Sequence, residues 1–125
     1  MNTRRPYRRA AVLAVVLLAV IATGCSSSSK PKAAPTGPAT NGASVTISGF
    51  AFKAGAVKVK TGSTVIWGNH DTTTHTVTST GGPATFDSGD LAVGKTFSHT
   101  FTTPGTYSYH CSIHASMTGT VVVTG

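Results

Sequence analysis

From Ala43 to the C-terminus, branched and aromatic residues alternate with small polar ones over short runs, and turn residues separate the runs. Val45 and Ile47 alternate with Thr46 and Ser48, and Val57 and Val59 alternate with Lys58 and Lys60. A side-chain period of two is that of a half-buried strand. The Thr61-Gly62-Ser63 triplet predicts a turn, after which Val65 and Trp67 predict a new strand ending near Gly68-Asn69. Thr76 to Ser79 reads as a further strand, closed by Gly81-Gly82-Pro83. Phe97, His99 and Phe101 share one face of another strand, with Thr96, Ser98 and Thr100 on the opposite face. Pro104-Gly105 turns into a strand from Tyr107 to Cys111, and the valine-rich stretch Gly119 to Thr124 closes the chain. No segment carries a helical period of useful length. Short strands at this spacing predict an all-β antiparallel sandwich or barrel.

The first 42 residues have a different texture. Arg4, Arg5, Arg8 and Arg9 form a basic start, and an uninterrupted apolar run follows from Ala10 to Ala22. Such a start, a short apolar run and small residues before a cut describe a secretory signal. The run falls short of the ~20 residues that a membrane-spanning helix needs. Ala22-Thr23-Gly24-Cys25, followed by Ser26 to Ser29, resembles the lipobox of bacterial lipoproteins, with Ala22 where Leu is usual. That resemblance implies cleavage before Cys25 and lipid on that residue. Thr3-Arg4-Arg5-Pro6-Tyr7 also resembles a twin-arginine export motif, although clustered arginines are ordinary in such leaders. Ser26 to Gly42 holds no large apolar residue and reads as a disordered linker spanning roughly 20–25 Å. The expected organisation is a signal peptide over 1–24, a lipidated Cys and linker over 25–42, and one domain over 43–125.

Removing the leader changes the charge picture. The formal +7 loses its four arginines, leaving six lysines against three aspartates, or 6 − 3 = +3. The basic isoelectric point therefore carries no argument for nucleic acid. With Cys25 assigned to the anchor, Cys111 is the domain's one thiol, so no disulfide framework exists. A lone thiol in an oxidising compartment is a liability unless something occupies it.

Candidate chemistry concentrates in Tyr107-Ser-Tyr-His-Cys-Ser-Ile-His-Ala-Ser-Met117. Cys111, His114 and Met117 lie three residues apart each time, offering a thiolate, an imidazole and a thioether. Thiolate and thioether are soft ligands that favour copper, and two imidazoles, one thiolate and a weak axial Met make a blue-copper set. The loop lacks one imidazole of that set. Strand alternation turns His110 away from Cys111. His99 shares an apolar face and reads as a packing residue, and His70 sits in a polar turn beside Asn69 and Asp71. His75 is the best choice, because it follows a polar loop and opens a strand. Zinc is a weaker alternative, since thioether is a poor ligand for it.

These stretches resemble the cupredoxins, specifically their plastocyanin/amicyanin branch. The resemblance rests on Trp67-Gly-Asn69 with His75-Thr-Val77, Phe86-Asp-Ser-Gly89, Pro104 to Cys111, and Cys-x2-His-x2-Met, and it covers Ala43 to Gly125. It implies a Greek-key β-sandwich and one type 1 copper ion held by His75, Cys111, His114 and Met117, with Met117 axial. It further implies that Asn69 ties the His-bearing loop to the Cys loop, and that His114 is the exposed ligand edge. Ala115 departs from the family's pattern, where short loops of this kind commonly carry Pro.

Two function classes follow. One is an electron carrier tethered at the outer face of the cytoplasmic membrane, or secreted if Cys25 is unlipidated, serving a cytochrome, oxidase or copper-dependent reductase as a monomer. The other is a copper-binding or delivery protein without an electron-transfer circuit. An Ig-like adhesive sandwich would have no reason to leave a thiol and an imidazole in one tight exported loop. The chain shows no G-x-S-x-G elbow, no Cys-x-x-Cys and no second cluster of metal ligands, so an enzyme is not expected.

Overall fold

The computed structural model describes Pro35 and residues 37–125. The expected signal peptide, Cys25 and most of the expected linker lie outside the described residues. Seven strands follow in order: β1 Thr40–Ile47, β2 Phe52–Lys53, β3 Ala56–Asn69, β4 Thr78–Gly81, β5 Thr96–Phe101, β6 Gly105–His110 and β7 Thr118–Thr124. Among the described residues there is no helix, as the alternating pattern predicts. β1 begins at Thr40, three residues before the expected domain start, because Thr40 pairs with Val59 of β3. A polar residue needs no core to join a sheet edge when a partner strand offers its backbone.

The fold is organised around β3, where sequence and structure part. Thr61-Gly62-Ser63 does not end a strand; β3 runs on through it for 14 residues. Its first part, Ala56 to Lys60, pairs parallel with β7, and its second part, Ser63 to Gly68, pairs antiparallel with β5. The triplet is a bend at which one strand passes from one layer to the other. Gly62 sits there at φ 85°, a left-handed conformation that a residue with a Cβ adopts only at a cost. β1 runs parallel to the second part of β3, from Ala43 opposite Val65 to Ile47 opposite Asn69. β6 joins β7 and β4 antiparallel on the other side.

Between the layers lies one core. Trp67 on β3 is fully buried and meets Phe86 at 5.9 Å, Phe97 at 5.7 Å and, edge-on, Tyr109 of β6 at 5.5 Å. Valines from β1, β3 and β7 fill the rest. Each large apolar side chain so placed stabilises the fold by about 1.5–3 kcal/mol. Tyr109 packs its ring against Gly119, directly opposite on β7, where any Cβ would overlap the ring. Burial pushes the Tyr109 phenol up to about 12, with the Trp67 indole opposing.

His99 takes the packing role expected of it. It is half-buried, stacked on Phe86 at 4.9 Å and edge-on to Phe101 at 4.8 Å. Burial lowers its pKa below the ordinary 6.5, so the folded protein binds its proton less readily than the unfolded chain does. Stability must then rise with pH between the folded value and 6.5, and fall on acidification through that window. Thermal melts of the metal-free protein should show this slope, and His99→Leu should flatten it. Equal slopes in the two proteins would contradict this account.

Candidate metal centre

At one end of the sandwich, three donor atoms from two distant segments converge. β6 ends at His110 and hands Cys111 into a tight loop. The Cys111 N–H donates to the Met117 carbonyl at 3.0 Å, and the Met117 N–H donates to the His114 carbonyl at 2.9 Å. Those two bonds close the loop on itself and bring the His114 ring to Cys111 Sγ. His75 arrives from the other segment. It forms a two-bond bridge with Leu91, its N–H donating at 3.2 Å and its carbonyl accepting at 2.8 Å. The strand expected from Thr76 begins only at Thr78, so His75 is held by this isolated bridge and not by a ladder.

The Cys111 Sγ stands 3.7 Å from Nδ1 of His75 and 3.7 Å from Nδ1 of His114, and the two Nδ1 atoms are 3.2 Å apart. All three donors fall within 4.8 Å of one another. Cys111 and His75 are fully buried, Met117 is 2 % exposed, and His114 is half-buried. One cysteine sulfur and two imidazoles converging where Cys111 and His75 are shut off from the surface match copper's preference for soft and borderline donors. Among the described residues neither His70, His99 nor His110 joins the group; alternation is the reason expected for His110, the apolar strand face for His99 and the polar turn for His70.

The supporting bonds differ from expectation in one respect. The Nδ2 of Asn69 donates to the carbonyls of Thr73 at 2.8 Å and Leu91 at 2.9 Å, and its Oδ1 accepts the Asp71 N–H at 3.0 Å. Asn69 therefore shapes the His75 loop against the Leu91 segment and makes no bond to the Cys111 loop. Thr76 makes that tie. Its N–H donates to Cys111 Sγ at 3.3 Å, and its Oγ1 accepts the Ser112 N–H at 2.7 Å.

Two further residues escaped the sequence reading. Asp71, nearly buried, sets Oδ2 3.2 Å from Nε2 of His75. The Phe50 N–H, donating to that same oxygen at 2.7 Å, holds the Asp71 carboxyl below the ordinary carboxylate range; burial opposes this, and the Thr72 N–H and His75 add to it. Phe50 stands edge-on to both imidazoles, 5.6 Å from His75 and 5.1 Å from His114. A carboxylate four residues before the chosen histidine was a visible signal for Asp71. Nothing in the sequence marks Phe50.

Residues 39–124 match the family of copper-binding proteins of the plastocyanin/azurin type. The chain is 34% identical over 118 residues to amicyanin-alpha of Methylorubrum extorquens, covering 92% of this chain and 98% of that protein. Among solved structures it is similar to a purple cupredoxin from Nitrosopumilus maritimus, with a TM-score of 0.61 at 28% identity over 66% of this chain and 99% of that one. It is also similar to part of a copper-containing nitrite reductase from Thermus scotoductus, with a TM-score of 0.63 at 28% identity over 75% of this chain and 24% of that one.

Proposed function

The chain belongs to the plastocyanin/azurin family of copper-binding proteins, and on that footing we propose that it carries single electrons between redox proteins outside the cytoplasmic membrane. The observation that carries this reading is the convergence of Cys111 with His75 and His114 at 3.2–3.7 Å while His114 alone stays half-exposed. In this reading His75, Cys111, His114 and Met117 hold one type 1 copper ion. Copper, when bound there, supplies a one-electron couple between its two oxidation states.

The protein's residues do the rest. Cys111 gives the thiolate, buried so that its coupling to the metal is undiluted by water. His75 and the closed loop keep the donors where they stand, so little has to move when an electron arrives or leaves. His114 turns Nδ1 inward and offers its outer edge to a partner. Beside it Ile113 is 50% exposed and Phe50 53%, an apolar rim suited to brief docking. The lipobox-like start favours attachment through lipid on Cys25, at the outer face of the membrane; an intact mass lacking that lipid would argue for secretion instead.

Purified protein loaded with Cu(II) tests the reading. An intense blue band with narrow copper hyperfine splitting in EPR is expected; a pale, tetragonal copper signal would move the copper-delivery reading ahead. Met117→Leu should keep the copper and raise its potential, because a weak axial donor to Cu(II) is removed. Cyclic voltammetry showing an unchanged or lower potential would mean that Met117 is not axial.

A further inference from the structure

The following rests on His75 acting as a ligand through Nδ1, as proposed above. We propose that Asp71 is a positioning residue, whose single oxygen Oδ2 sets both the imidazole of His75 and the turn that carries Phe50.

Both carboxylate oxygens of Asp71 already accept backbone N–H groups, from Phe50 on Oδ2 and from Thr72 on Oδ1, so in the 3.2 Å contact Oδ2 is the acceptor and Nε2 of His75 the donor. That leaves the lone pair on Nδ1, aimed at Cys111 and His114. Without Asp71 the buried Nε2–H would lose its partner. A neutral ring could then satisfy itself by moving its proton to Nδ1 and donating to Nδ1 of His114, 3.2 Å away. That tautomer blocks the very atom a metal needs.

Phe50 has φ 55°, in the left-handed region, where a bulky side chain is strained. Such a conformation persists only when its surroundings hold it. Burial does not hold it, since Phe50 is 53% exposed. The antiparallel pairing of β1 with β2 sets the turn, the Ser48 N–H closes it on the Ala51 carbonyl at 3.0 Å, and the 2.7 Å bond from the Phe50 N–H to Oδ2 ties it to Asp71. The result is a ring standing nearly perpendicular to both imidazoles, at 85° and 88°. Asp71 is itself fixed from behind, by the Thr72 N–H on Oδ1 and by the bond from its own N–H to Asn69.

The test begins with metal-free, 15N-labelled protein at about pH 8.5, above the ordinary imidazole range. Long-range 1H–15N spectra should show His75 protonated at Nε2. In Asp71→Ala the signal should become mixed or shift to Nδ1–H, and hydrogen exchange at the Phe50 amide should quicken. Copper affinity, read by chelator competition, should fall about 10–100-fold. Asp71→Asn, which keeps one acceptor oxygen, should fall between the two. Phe50→Gly should leave the His75 tautomer unchanged, since the ring depends on Asp71 and not the reverse. Nδ1–H in the unaltered protein would overturn the inference, and so would an Asp71→Ala protein with unchanged tautomer and affinity. Should Asp71→Ala fail to fold, the tautomers of the unaltered protein and Asp71→Asn decide. A copper-loaded unaltered protein without the blue band would instead sink the ligand assignment, leaving the tautomer result readable on its own.

Discussion

Replacing Cys111 with serine should abolish the intense visible absorption of the copper-loaded protein while leaving the domain folded. The colour of such a site comes from the covalent thiolate–copper bond, and Cys111 is the one thiol among the described residues. A hydroxyl is a hard, weakly acidic donor and cannot replace it. The fold should survive because the Cys111 side chain has modest structural duties. It accepts the Thr76 N–H, which a serine oxygen can also accept, and the loop is closed by backbone bonds that the substitution does not touch. The expected cost to the metal-free protein is about 1 kcal/mol, that of an ordinary conservative change at a buried position. Circular dichroism and a urea melt would check the fold, and a visible spectrum the site. A serine variant that stays blue would refute the assignment of Cys111.

Gly119→Ala should produce the largest loss of stability among glycine-to-alanine changes at the described residues. A Cβ at that position would overlap Cζ, Cε2 and the hydroxyl of Tyr109. Tyr109 has no room to withdraw. It is 1% exposed, with Phe52 at 4.8 Å, Trp67 at 5.5 Å and Phe86 at 6.2 Å against its ring. Relief would require β7 to lift from β6, where Tyr109 and Gly119 are directly paired. Overpacking of this kind costs typically 1–3 kcal/mol, and a rigid neighbour places it at about 3. For a domain of this size that is a fall of roughly 15 °C in melting temperature. Adding Tyr109→Leu should recover part of the loss, by a coupling that a urea-melt double-mutant cycle would measure. A Gly119→Ala protein melting within about 2 °C of the unaltered one would show that the ring yields after all.

Much of this protein could be read from local pattern, and the limits of that reading have physical causes. The face shared by Phe97, His99 and Phe101 was legible because strand alternation is a local property of the chain. The Cys111–His114–Met117 triplet was legible because three ligands within seven residues carry their own geometry. His75 was legible by elimination. Thr61-Gly62-Ser63 misled, because a glycine at positive φ serves a bend inside a strand as well as a turn between strands; which of the two forms depends on whether β5 and β7 are there to pair. Asn69 was expected to tie the two loops and Thr76, expected only to start a strand, does so instead, for a similar reason. Both are polar residues near the ligand loop, and only their distances to Leu91 and Ser112 say which loop each one ties.

The sequence by itself determined the all-β class and set a thiol, an imidazole and a thioether within seven residues, since these follow from residue type and short-range spacing. Only the tertiary structure decided that His75 and Cys111, 36 residues apart, bring Nδ1 and Sγ within 3.7 Å. It alone revealed the bent β3 joining two layers, and one oxygen of Asp71 lying against both the His75 ring and the Phe50 N–H. Such features arise where distant segments meet, and the energy of a meeting is written in neither segment alone.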